Sequence, residues 1–203
     1  MGNIGITGRA RVGKDTAGRW LVENRGYRRV ALADPLKEAA LRLDPIIQVE
    51  TALDEYSEKY NYNVGLRWVV DDHGWEGAKD KFPEVRRILQ ELGASIRAID
   101  EDFWLRAAMA KVQAANEAGV PCVITDVRYP NEAASLKRAG FHLLHIDRPG
   151  VPQLDHESEG ALTSADADYA LVNDGTQELF LAKLQIAVSH IYADESRRHS
   201  NRL

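Results

Sequence analysis

The chain has 203 residues, 44% of them hydrophobic and 28% charged, enough to bury one real core and too few for two full-sized domains. A net charge of −5 lacks the basic footprint of a protein whose main work is to bind a nucleic-acid polymer, and a lone cysteine, Cys122, excludes an internal disulfide. No uninterrupted apolar run approaches the roughly 20 residues of a membrane span, so a soluble, cytoplasmic protein with no membrane partner is expected.

Residues 3–7 read as a short apolar strand, followed by a loop rich in Gly and Arg and by a helix over 15–24 that stops at Gly26. The Met1-Gly2 start is better used before that strand than for myristoylation, since Ile6 stands where Ser or Thr is needed. A second strand is expected over 28–33. Asp34-Pro35 then opens a helix reaching Leu43, with Asp34 as its N-cap. Between 44 and 81, aromatic residues are scattered among acids, amides and Gly65, Gly74 and Gly77, which suggests an irregular, mostly helical insertion. Helices follow over 83–99 and 101–117, the second ending at Gly119.

Residues 120–126 (VPCVITD) have the run of a strand buried on both faces, 130–138 of its return helix and 141–146 of the next strand. A shorter strand over 169–172 and a helix over 177–195 complete the pattern, with 196–203 as a frayed tail. Strands alternating with helices predict a parallel sheet covered on both faces. Ligands then gather at the carboxyl ends of the strands, on the loops after Thr7, Ala33, Asp126 and Ile146.

The first of these loops carries the strongest motif. Gly8-Arg9-Ala10-Arg11-Val12-Gly13-Lys14-Asp15-Thr16 matches the G-x-x-x-x-G-K loop of nucleoside-triphosphate-binding proteins, with Asp where the strict pattern has Ser or Thr. Glycines let the backbone wrap a phosphate, the following helix offers its positive end, and the lysine reaches the β and γ oxygens. A Gly-rich turn with a chance lysine is the bland alternative, and the strand before and helix after argue against it. Asp15, as a hard oxygen donor, is a candidate Mg²⁺ ligand, directly or through water. Asp126, at the end of a buried strand, is a second candidate or simply a cap. Arg128 lies where the carboxyl edge would face the phosphates.

On the helix over 83–99, Val85, Ile88, Leu89, Leu92 and Ile96 share one face, and Arg86, Gln90, Gly93 and Arg97 form a neighbouring stripe. That stripe is either a solvated polar face or the lining of a cleft that grips a phosphate and a base edge. Trp104 is in register with Ala107, Ala108, Val112 and Ala115, which makes it core first and a stacking platform second. His156-Glu157-Ser158-Glu159 has no second histidine at ligand spacing and reads as a polar loop.

Taken together, GRARVGKDTAG, ALADPLKEAA, RRILQELG with Arg97 after it, DFW, VITDVRYPNEA, IDRPG and HESE resemble the phage-type deoxynucleoside monophosphate kinases. The resemblance implies a P-loop three-layer α/β sandwich whose five parallel strands, numbered along the chain, lie in the order 2-3-1-4-5, as a single kinase domain over 1–203 with a helical substrate-binding insertion over 34–119. It implies transfer of the γ-phosphoryl of ATP, with Mg²⁺, to a deoxynucleoside 5′-monophosphate. The catalytic candidates are Lys14, Arg128 and Arg148, with residues 8–16 on ATP. Asp34, Lys37, Arg86, Gln90, Arg97, Trp104 and Arg128 are candidates for the acceptor. A phage-encoded enzyme would act in the host cytoplasm, as a monomer or a homodimer. Two other readings stand beside this one: a hydroxyl-acceptor kinase resembling dephospho-coenzyme A kinase, with Asp34 as base, and an ATP-hydrolysing switch.

Overall fold

A computed structural model of the chain describes residues 2–53, 56, 59–152 and 160–200; the His156 to Glu159 motif therefore lies outside the described residues. Its elements, in chain order, are β1 (Ile4–Thr7), α1 (Lys14–Arg25), β2 (Arg28–Val30), α2 (Asp34–Leu43), β3 (Ile46–Leu53) and β4 (Lys59–Gly65). These are followed by α3 (Leu66–Lys81), α4 (Pro83–Ile99), α5 (Phe103–Glu117), β5 (Cys122–Ile124), α6 (Pro130–Arg138), β6 (His142–Asp147), β7 (Tyr169–Val172) and α7 (Gln177–Ser200).

The chain divides into two compact units, Met1–Leu32 with Leu105–Leu203, and Ala33–Trp104. In the first, five strands form one sheet in the order β2-β5-β1-β6-β7. Every neighbouring pair is parallel. Counting only the strands of this sheet, the order is the expected 2-3-1-4-5. Strand residues alternate between two buried faces, which is why β1 and β5 read as unbroken apolar runs. Ile4, Ile6, Val123, Leu144 and Ile146 pack with Leu21 of α1 and with Phe180, Leu184, Val188 and Ile191 of α7. Val30, Cys122, Ile124 and Leu143 pack on the opposite side with Leu105, Ala108 and Val112 of α5 and Ala133 and Leu136 of α6. Helix, sheet and helix thus make three layers. At about 25 cal/mol per Å² these apolar faces are the main source of the unit's stability. Helix α1 packs closely on the end of β5: a Cβ on Gly18 would lie 2.4 Å from Cγ2 of Thr125, the residue after that strand.

The second unit departs from the expected helical insertion. It opens with α2, then an antiparallel hairpin of β3 and β4, and continues with α3 and α4. Ala40, Ile47, Val64, Leu66, Val69, Ala78 and Val85 form its own apolar cluster, with Ile88, Leu89 and Leu92 of α4 against it. In the hairpin Glu50 faces Tyr62 and Thr51 faces Asn61, and the Thr51 hydroxyl donates to Asn61 Oδ1 at 2.7 Å. The alternation Tyr60, Tyr62, Val64 is the period-two signal that a strand leaves in sequence.

Four further expectations change. The inserted unit ends at Trp104 rather than at residue 119, because α5 buries its apolar side on the sheet. Ala33 is the N-cap of α2, and Asp34 sits one residue inside the helix, where an acid suits the positive end of the dipole. Of the three insertion glycines, only Gly74 takes a left-handed conformation (φ 64°), and it kinks α3. The tail over 196–200 is helical rather than frayed: Arg197 pairs with Asp194 and Arg198 with Glu195, each one turn apart.

Candidate active site

The loop between β1 and α1 lies at the carboxyl edge of the sheet, and its shape depends on residues that have no local freedom. Gly8 has φ 131°, and a Cβ there would sit 2.2 Å from the carbonyl oxygen of Ile146, so the chain can pass only with glycine. Arg11 and Gly13 also have positive φ, 63° and 111°. Gly13 is the N-cap of α1 and makes no side-chain cap bond. Helix α1 therefore begins at Lys14, with its first-turn N–H groups and positive dipole end at the loop.

Val12 is fully buried in the sheet's core and anchors the middle of the loop. Its carbonyl accepts from Nδ2 of buried Asn173, at 2.9 Å, and the Asn173 N–H donates to the Asp147 carbonyl at 2.8 Å. Asp147 in turn holds Arg9, with Nη2 to Oδ1 at 3.2 Å. Beneath them the Thr7 hydroxyl meets Nδ1 of His145 at 2.9 Å, and burial pushes the His145 imidazole below its ordinary range. The Lys14 ammonium donates to the carbonyls of Gly8 (2.6 Å) and Arg9 (2.5 Å), so the loop's own backbone solvates its cation.

Across the cleft is the turn between β5 and α6. Oδ1 of Asp126 accepts the Leu32 N–H at 2.9 Å and ties the end of β5 to the end of β2. Val127 is buried, and Arg128 is exposed beside it. Gly8, Ala10, Lys14, Val127, Arg128, Gly160 and Leu162 line one small cleft, which brings together the two cations the motifs single out. Arg148 is exposed directly after β6.

Asp15 follows Lys14 in the first turn of α1. Its carboxylate, 80% exposed, lies 3.4 Å from Nη2 of Arg29, whose Nε donates to Oγ1 of Thr125. Thr16 is half-buried in the first turn of α1.

In the second unit the stripe on α4 carries exposed Arg86 and Gln90 and half-buried Arg97. Arg86 is engaged by the Asp80 carboxylate at 2.6 Å and the Lys79 carbonyl at 2.8 Å. Lys37 lies over the Trp75 ring at 5.5 Å, and Asp34 is in the first turn of α2. Trp104 is buried, 8% exposed, and its Nε1 donates to the Gly93 carbonyl at 3.3 Å. His145 and Asn173, outside every motif, and Asp147 and Glu132, inside IDRPG and VITDVRYPNEA but with no predicted role, shape the backbone around the cleft.

An all-parallel 2-3-1-4-5 sheet whose first loop is G-x-x-x-x-G-K, with a second cation lining the same cleft as that loop's lysine, defines a P-loop nucleotide-binding protein of the kinase type. The family model for deoxynucleotide monophosphate kinase matches residues 76–184. A putative deoxynucleotide monophosphate kinase of Acanthamoeba polyphaga mimivirus is 30% identical, over 89% of this chain and 93% of its own length. The deoxynucleotide monophosphate kinase of Enterobacteria phage T4 is 23% identical, over 90% of this chain and 96% of its own. The chain belongs to the deoxynucleotide monophosphate kinase family. Among solved structures, dephospho-CoA kinase from Campylobacter jejuni superposes with a TM-score of 0.49 at 12% identity, over 96% of this chain and 100% of that one, too distant a match to assign a function. No helix among the described residues is long and apolar enough to cross a membrane.

Proposed function

We propose that the chain transfers the γ-phosphoryl group of ATP to a deoxynucleoside 5′-monophosphate, in the cytoplasm. The observation that carries this reading is the pairing of Lys14 and Arg128 in one cleft beside the loop of residues 8–16, in a member of this family. A monophosphate is largely ionised near neutral pH, since its second pKa is about 6, so the acceptor needs no general base. Cations and positioning suffice, because in phosphoryl transfer the work is alignment and neutralisation of charge.

Lys14 exchanges its carbonyl partners for β- and γ-phosphate oxygens and stabilises the charge that develops on them. Arg128 holds the acceptor phosphate. Arg148 and the loop arginines Arg9 and Arg11 assist on the donor side. The unit over Ala33–Trp104 is the acceptor-binding unit, with Arg97 as its main phosphate ligand and Arg86, Gln90, Lys37 and Asp34 as further contacts.

Carboxylates are hard oxygen donors that suit Mg²⁺, and the exposed carboxylate of Asp15 in the first turn of α1 and that of Asp126 after β5 are the candidates, with the hydroxyl of Thr16 left for the α-phosphate. Mg²⁺ commonly completes its shell with substrate phosphates and water, so one or two carboxylates suffice on the protein side. Asp15 and Asp126 would hold it, directly or through water. Bound there, Mg²⁺ supplies neutralisation of phosphate charge.

The test is ATP turnover with and without a panel of deoxynucleoside monophosphates. Consumption of ATP in proportion to added monophosphate, with the diphosphate as product, is expected. Turnover indifferent to monophosphates would point to a hydrolysing switch, and turnover only with a hydroxyl acceptor to Asp34 as a base.

A further inference from the structure

Glu132 is a buried acid in the cleft-forming turn, 8% exposed, within the VITDVRYPNEA motif but with no role predicted for it from the sequence. It stands at the third position of α6. Its Oε2 accepts the backbone N–H groups of Arg128 at 2.8 Å and of Tyr129, the N-cap, at 3.0 Å. Two N–H groups on one charged oxygen are charge-assisted bonds, stronger than neutral ones. They fix the backbone of the residue whose side chain lines the cleft. Two other clamps act on the same turn: Asp126 is bonded to Leu32 N–H on one side, and Pro130 restricts Tyr129 on the other. Val127, buried between them, leaves the peptide no room to rotate.

We propose that Glu132 is the positioning residue of the acceptor site: it sets the direction in which Arg128 leaves the backbone and so presents the guanidinium opposite Lys14. The inference rests on the reading of Arg128 as a ligand of the acceptor phosphate. Burying a carboxylate is costly, and a helix that needed only a cap could take a neutral Ser or Asn at its N-cap. A buried charge here is explained by the need to hold two consecutive N–H groups in one place.

The test combines Glu132→Ala, Glu132→Gln, Arg128→Ala and the double variant Glu132→Ala/Arg128→Ala, each with a melting curve and with separate KM values for the monophosphate and ATP. Glu132→Ala is expected to raise the monophosphate KM about tenfold with the ATP KM within about twofold. Glu132→Gln, which keeps an accepting oxygen without the charge, should raise it about threefold. Arg128→Ala should raise the same constant, and adding Glu132→Ala to it should change nothing further, because a residue that acts through another has no effect once that other is gone. A purely structural role predicts a lower melting temperature with the two KM values unchanged in ratio, or full additivity in the double variant, and either outcome overturns the proposal. If folding is lost in Glu132→Ala, the Gln variant decides by the same KM ratio. An unchanged monophosphate KM in Arg128→Ala overturns the acceptor reading itself, and the proposal with it.

Discussion

Asp15, at the position where the strict phosphate loop has Ser or Thr, turns its carboxylate to Arg29, 3.4 Å away on β2. Both groups are largely exposed, so the pair adds little to stability and can be exchanged cheaply. An acid at this position would oppose a nucleotide's negative charge unless a cation intervened. We predict that Asp15→Asn melts near the parent temperature but needs roughly tenfold more Mg²⁺ for half-maximal nucleotide binding, since an amide is a poorer ligand. A Mg²⁺ titration followed by nucleotide fluorescence checks it; an unchanged midpoint would remove the metal role.

Lys14→Ala should lower kcat by about a thousandfold, the scale seen when one preorganised cation or donor is removed from a transition state. The fold should persist, because the ammonium donates to the carbonyls of Gly8 and Arg9, in a loop at the edge of the sheet. Circular dichroism and steady-state turnover measured together decide this, and survival of turnover within a few-fold would end the assignment.

Gly8→Ala should cost far more than its size suggests. A methyl group there meets the Ile146 carbonyl at 2.2 Å, and neither backbone can yield without breaking β1 or β6. Gly140, also at positive φ (85°) but with nothing near its Cβ, provides the control. Alanine at 140 should cost about 1 kcal/mol and leave nucleotide binding intact, whereas alanine at 8 should abolish binding. Equal losses at the two sites would contradict the close approach.

Arg97→Ala should raise the monophosphate KM by one to two decades, the worth of roughly 1.5–3 kcal/mol for a charge-assisted bond, and leave the ATP KM within about twofold. Equal effects on the two substrates would remove Arg97 from the acceptor site.

Burial lowers the pKa of His145, so between that depressed value and about 6.5, the ordinary value of the unfolded chain, the unfolded state binds more protons. Stability then rises with pH across that window and falls as the solution is acidified below about 6.5. His145→Gln should flatten the slope in a denaturant series between pH 5 and 7. A slope unchanged by the substitution would place its origin elsewhere.

Elements announced by local chemistry were legible. Pro83 and Pro130 mark the starts of α4 and α6, and a periodic apolar face carries α4 to Ile99, so both helices have the bounds that spacing alone predicts. The β3–β4 hairpin was not, because most of its side chains are exposed and only Tyr60, Tyr62 and Val64 keep an apolar alternation on β4. The phosphate loop was legible because its chemistry is contiguous. Its supports were not: Asn173 lies 161 residues from Val12, and His145 lies 138 from Thr7. A side chain whose work is done across such a distance leaves no pattern in its own neighbourhood. Glu132 is the exception, since a glutamate three residues after Tyr129 and two after Pro130 is a legible capping signal whose meaning depends on the adjacent Arg128.

These separations bear on synthesis. The phosphate loop leaves the ribosome before its supports: Ile146 and Asn173, against which it is shaped, emerge more than 130 residues later, and β1 has no neighbour in the sheet until β5 arrives. The stretch Ala33–Trp104, contiguous and with its own apolar cluster, has no such wait. Nascent chains stalled before residue 173 should therefore already protect the inserted unit from protease while retaining nothing on immobilised ATP, so that nucleotide capture serves as a clock for the arrival of Asn173.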